Sequence, residues 1–104
     1  MQNQTLPTGN NTMTNLELII TDSYRKKEKD FLKHHRDIVE SYVKTMSLLS
    51  VNPFYPSLRL HKLQGKLRSY YSVSITMQYR IVIDFMIEDN KIIPLNVGDH
   101  EIYR

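Results

Sequence analysis

The sequence predicts an α+β domain with the element order β-α-α-β-β-β, a small antiparallel sheet with an αα-hairpin on one face. Three observations carry this expectation. Apolar residues recur at helical spacing between Tyr24 and Leu49. From Tyr71 the apolar period switches to two. Between these regimes lies a connector, residues 51–67, that holds Pro53 and Pro56 and then leucines at 58, 60, 63 and 67.

Residues 1–15 are rich in Asn, Gln and Thr, have no apolar period, and are expected to form a disordered tail ahead of one domain, residues 16–104. Residues 16–20, LELII, read as a short strand. Thr21, Asp22 and Ser23 are N-cap types, and a helix follows with Phe31, Leu32 and His35 towards one side. Its first turns crowd Arg25, Lys26, Lys27 and Lys29 at the end of the helix dipole that disfavours cations, so these side chains are expected in solvent. Asp37 and Glu40 form a variant capping box for a second helix, in which Ile38, Val39, Tyr42, Val43, Met46 and Leu49 take helical spacing. That helix should end before Asn52-Pro53, since a residue preceding proline avoids the helical region. The connector is expected to be extended, to pack its leucines and to project its cations. Tyr71, Val73 and Ile75 alternate with Ser72, Ser74 and Thr76, and Tyr79, Ile81, Ile83, Phe85 and Ile87 alternate with Arg80, Val82, Asp84 and Met86. A turn at residues 88–91 leads to a last strand, residues 92–97, ended by Gly98. On this pattern Ser72, Ser74, Thr76 and Arg80 line an open, hydroxyl-rich face.

The chain of 104 residues is long enough for one modest core, and its 40% apolar and 24% charged residues suit a soluble domain. No apolar run is long enough to span a bilayer, and no signal-peptide pattern is recognised. There is no cysteine, which removes disulfides, thiol nucleophiles and cysteine zinc sites and agrees with a cytoplasmic protein. The net charge is only +3, yet residues 41–83 contain no acid and six cations: Lys44, Arg59, Lys62, Lys66, Arg68 and Arg80. A concentrated positive field favours a phosphate backbone as partner. His61 lies within it, in the run LRLHKLQGKL, and a histidine among such cations can move protons near neutral pH. No metal constellation appears, because His34 and His35 are sequence neighbours that diverge on a helix.

The order of elements, LRLHKLQGKL, the YYSVSI…YRIVI hairpin and the terminal VGDHEIY resemble the RelE/ParE toxin superfamily over residues 16–104. His61-Lys-Leu-Gln-Gly65 is similar to the HPLQG segment of its YafQ-type mRNA interferases, and Gly98-Asp-His100 to their GTH. The resemblance implies the toxin of a type II toxin–antitoxin pair, a ribosome-dependent mRNA endoribonuclease whose partners are a cognate antitoxin, the ribosome and mRNA, with no cofactor, metal or membrane. It points to His61 and His100 for proton transfer. Tyr103 is similar to an aromatic of the family, one residue early. A histidine and an aspartate of the YafQ-type site fall near Ser74 and Gln78, neither of which exchanges protons well.

RNA is cut without metal when the 2′-OH attacks the adjacent phosphate, which requires a base, cations for the phosphorane charge and an acid for the leaving oxygen. His61, His100 and Tyr103 are the candidates for the chemistry, with Lys62, Lys66, Arg68 and Arg80 for phosphate. His61 reads equally as a solvated histidine between packing leucines, His100 as a turn histidine, and Arg80 as a surface partner of Asp84. Two other functions stay open: a ParE-like gyrase poison, which would need neither histidine, and a catalytically degenerate, antitoxin-binding member.

Overall fold

A computed structural model describes residues 16–103. The expected tail at residues 1–15 lies outside the described residues. Thr21 starts the first helix, α1 (Asp22–His34), by accepting the Tyr24 backbone N–H on its hydroxyl at 3.0 Å. Helix α2 (Val39–Val51) stops where expected, with Asn52 in extended conformation ahead of Pro53. The Asp37 capping box does not form: Arg36–Ile38 is a 3₁₀ turn, and Ile38 stands at the N-cap without a side-chain bond. Ile38 is 8% exposed, and anchoring it in the core places Asp37 inside the turn instead of at the cap. No helix of the described residues is long and apolar enough to cross a membrane.

Five strands form one mixed sheet, in place of the expected four antiparallel ones. β1 (Glu17–Leu18) runs parallel to β5 (Lys91–Gly98). β5 then pairs antiparallel with β4 (Arg80–Met86), β4 with β3 (Tyr71–Ser74), and β3 with β2 (His61–Lys62), giving the order β1-β5-β4-β3-β2. Both edge strands have two residues, too short to offer a template to another chain. The connector is therefore not simply extended: it holds a 3₁₀ turn at Pro56–Leu58, β2, and a second 3₁₀ turn at Gly65–Leu67. Its leucines pack as anticipated, Leu58 and Leu63 being buried, while Arg59, Lys62, Lys66 and Arg68 are exposed.

Tyr24, Phe31, Ile38, Tyr42 and Leu49 of the helical layer meet Val73, Ile81, Ile83, Phe85, Ile92 and Val97 of the sheet. The helix-facing and opposite sides of β3 and β4 follow the period of two. Pro94 interrupts β5, and the register slips there: Ile83 pairs with Pro94 but Val82 pairs with Asn96. A bulge spares the ladder the missing proline N–H. Leu95, the extra residue, offers its carbonyl to Lys27 Nζ at 3.0 Å. Lys27, expected only to be solvated, thus ties α1 to β5, and Arg25 pairs with Glu28 at 3.0 Å.

A polar network crosses the helix interface. The Tyr24 and Tyr42 hydroxyls are 2.7 Å apart, and Tyr42 donates to Glu28 Oε2 at 2.8 Å, leaving Tyr24 to donate to Tyr42. Burial raises both phenol pKa values, and the Glu28 charge adds to the effect, so both remain proton donors. Tyr42→Phe strands the Tyr24 hydroxyl in the core and is expected to cost about 1–2 kcal/mol in urea unfolding, with the fold retained.

Candidate active site

The connector shapes the site locally. Arg59 adopts a left-handed conformation (φ 49°), which turns the chain out of the 3₁₀ turn and into β2. His61 Nδ1 lies 3.1 Å from the Arg59 carbonyl oxygen. A carbonyl only accepts, so Nδ1 carries the hydrogen, and the neutral ring keeps its lone pair on Nε2. This is the tautomer a general base requires. Leu63 anchors the segment, its N–H donating to the Tyr70 carbonyl at 3.0 Å. Gly65 follows at φ +69°, a conformation other residues enter only with strain.

A cavity of about 340 Å³ opens here, lined by His61, Lys62, Leu63, Gln64, Leu67 and Tyr103. Tyr103 arrives from the far side of β4, on the 3₁₀ turn His100–Tyr103 that follows β5. Its hydroxyl is 2.6 Å from Ser72 Oγ. Ser72 is the cross-strand partner of His61, so one bond fixes Tyr103 beside β2. The turn comes this close because Gly98 has no side chain: a Cβ there would stand 2.7 Å from Ile102 Cγ2.

The expected open hydroxyl face is consequently closed in part. Ser72 is fully buried and Ser74 is 9% exposed, because the terminal turn and Arg80 take up their hydroxyls. Arg80 Nη1 donates to Ser74 Oγ at 3.0 Å, where a pairing with Asp84 was the alternative. Of the phosphate-binding candidates, Lys62 sits with Nζ 5.8 Å from the centre of the Tyr71 ring, and Arg68 folds back on the Gly65 carbonyl at 3.3 Å. Lys66 is exposed, with no partner among the described residues.

The structure thus gathers His61, Lys62 and Tyr103 around one cavity. His100 begins the terminal turn and is exposed, but it does not line that cavity. Gln78 is exposed at the β3–β4 hairpin tip, where Thr76 Oγ1 accepts its N–H at 3.2 Å. The role of Ser72 had no signature in the sequence, since it depends on a turn thirty-one residues further on. The other side of the terminal turn borders a groove of about 370 Å³ that includes Asp30, His34, His35, Tyr79 and Asp99. Lys27 lines the groove too, so it carries mixed charge and lacks the concentrated positive field that favours a phosphodiester. Among the described residues no group of three or more His, Cys, Asp or Glu is placed to hold a metal ion.

Gly98→Ala is expected to push the terminal turn off β5 and break the Tyr103–Ser72 bond. The checks are a loss of about 1–3 kcal/mol in urea unfolding and amide shifts concentrated on β2 and the terminal turn.

No protein-family model matches the sequence, and no curated protein matches it. Solved structures do match. YafQ from E. coli strain BL21(DE3) superposes with a TM-score of 0.69 at 18% identity, covering 86% of this chain and 98% of its own. A YoeB/ParE toxin from Agrobacterium tumefaciens gives 0.61 at 21% identity, covering 82% and 99%. YafQ in the E. coli DinJ–YafQ toxin–antitoxin complex gives 0.64 at 21% identity, covering 84% and 94%. At these identities the likeness establishes the fold.

Proposed function

We propose, from the premise that this chain has the fold of the YafQ and YoeB/ParE toxins, that it is the toxin of a toxin–antitoxin pair and cleaves mRNA on the ribosome in the cytoplasm. The observation that carries the nuclease reading is His61: its Nδ1 is engaged by the Arg59 carbonyl, which leaves Nε2 for proton transfer, in a cavity edged by Lys62 and Tyr103 within an acid-free stretch of chain.

In this reading His61 Nε2 takes the proton of the 2′-OH as that oxygen attacks the adjacent phosphorus. Lys62 and Lys66, with Arg68 and Arg80 further out, offset the charge that grows on the phosphorane. The P–O5′ bond breaks, and His100 or Tyr103 returns a proton to the leaving oxygen, giving a 2′,3′-cyclic phosphate and a 5′-hydroxyl. The opposite assignment of the two histidines balances equally well. Bound message would have to bring His100 to the cavity. Tyr103 has a second role, stacking on or orienting a base. No step needs a metal or a cofactor.

An antitoxin follows from the same charge distribution. Exposed cations in an acid-free stretch of chain attract any RNA, and an acidic partner lying over them suppresses that until it is removed. The DinJ–YafQ complex is a toxin–antitoxin complex on this fold.

Induction of the protein, followed by mapping of message ends, tests the reading. Cuts within translated codons are expected, and His61→Ala should lower cleavage of ribosome-bound message by roughly 10²–10⁴-fold. Intact messages with damaged DNA would instead indicate a gyrase poison. Intact messages and DNA, with antitoxin binding preserved, would indicate a degenerate member. His100→Ala is expected to reduce cleavage as well, and unchanged cleavage would remove His100 from the mechanism.

A further inference from the structure

The outer edge of β3 carries a second feature, which shares no lining residue with the His61 cavity. Ile75 N–H donates to the Tyr79 carbonyl at 2.8 Å, so the odd-numbered residues of β3 turn their backbone groups towards β4. Ser72 and Ser74 turn theirs to the opposite edge. β2 meets Ser72 through His61 and goes no further. The residue that would face Ser74 is Arg59, whose left-handed conformation takes its backbone out of the ladder. Ser74, only 9% exposed, therefore presents an amide N–H to an edge where no backbone partner meets it.

A pocket of about 200 Å³ lies at this edge, and Ser41, Lys44, Thr45, Ser57 and Ser74 contribute to its lining. The Thr45 hydroxyl donates to the Ser41 carbonyl at 2.9 Å. The Ser41 and Ser57 hydroxyls and the Lys44 ammonium have no partner among the described residues. No carboxylate lines the pocket. Arg80 does not line the pocket, but its Nη1 holds the Ser74 hydroxyl at 3.0 Å.

We propose that this pocket binds a tetrahedral oxyanion, a phosphate group, through the Lys44 ammonium, the Ser41 and Ser57 hydroxyls and the Ser74 amide. A cation would find no carboxylate here, and an apolar ligand would leave several donors unpaired. An anion satisfies the donors and meets the Lys44 charge. The phosphate is either inorganic phosphate or a phosphodiester of a nucleic acid strand. The proposal does not depend on cleavage, since a nuclease, a gyrase poison and an inactive member would all carry this pocket.

The test is a titration of the ¹⁵N-labelled full chain with inorganic phosphate at constant ionic strength, with chloride as the control. Saturable shifts of the Ser57 and Ser74 amides are expected with phosphate alone. Lys44→Ala, at an exposed position that leaves the fold intact, should weaken the apparent Kd by about 10-fold or more, as for loss of a charge-assisted bond. Ser57→Ala should weaken it less. A silent Ser74 amide, equal shifts with chloride, or a Kd indifferent to Lys44→Ala would overturn the proposal. A short single-stranded oligoribonucleotide supplies the second arm once phosphate binding is seen. Shifts at the same amides assign the site to a nucleic acid phosphodiester, and their absence assigns it to free phosphate.

Discussion

The burial of Ile81 and Ile83 beneath the helices governs the rest of the molecule. Both are fully buried, and both lie on β4, the strand between the two halves of the site. On one side β4 positions β3 and, through it, β2 with His61. On the other it positions β5, Gly98 and the turn that brings Tyr103 back. A slip of one residue would carry Ile81 and Ile83 to the opposite face, at a cost no side-chain hydrogen bond offsets. The register is therefore fixed by the core, and the Tyr103–Ser72 bond follows from that register.

The elements that bury many side chains were legible in the sequence. α1, α2 and the β3–β4 pair announce themselves through Phe31, Tyr42, Leu49 and the alternation from Tyr71 to Phe85, because periodicity records a buried face. β2 was not legible: with two exposed residues it buries nothing in a repeating pattern, and only its ladder with Ser72 and Tyr71 makes it a strand. The parallel pairing of β1 was also hidden, since alternation carries no information about strand direction. At the helix entry, Ile38, a local capping pattern competes with a long-range packing demand, and packing prevails.

The site shows the same division. His61, Lys62 and Tyr103 could be singled out by residue type, charge context and resemblance, and the fold brings these three to one cavity. The alternation predicts an exposed platform of Ser72 and Ser74 hydroxyls, because it tells which side a residue faces but not what covers that side. Ser72 is covered by a 3₁₀ turn distant in sequence, resting on the bare backbone of Gly98, and Ser74 by Arg80. The basic surface is consequently narrower than the run of cations suggests, with Lys62 drawn to Tyr71, Arg68 to Gly65 and Arg80 to Ser74.

The parallel pairing of β1 with β5 has a consequence in time. It joins strands separated by nearly the whole domain, so its ladder closes the largest loop in the fold and is repaid by only two paired residues. Loop-closure entropy makes that pairing depend on α1, which follows β1 directly and ties to β5 through Lys27 and the Leu95 carbonyl. By the same reasoning β1 opens early, and its amides should exchange with solvent well before those of β3 and β4. The β3–β4 pairing at the centre of the sheet then keeps its order while the β1 edge breathes.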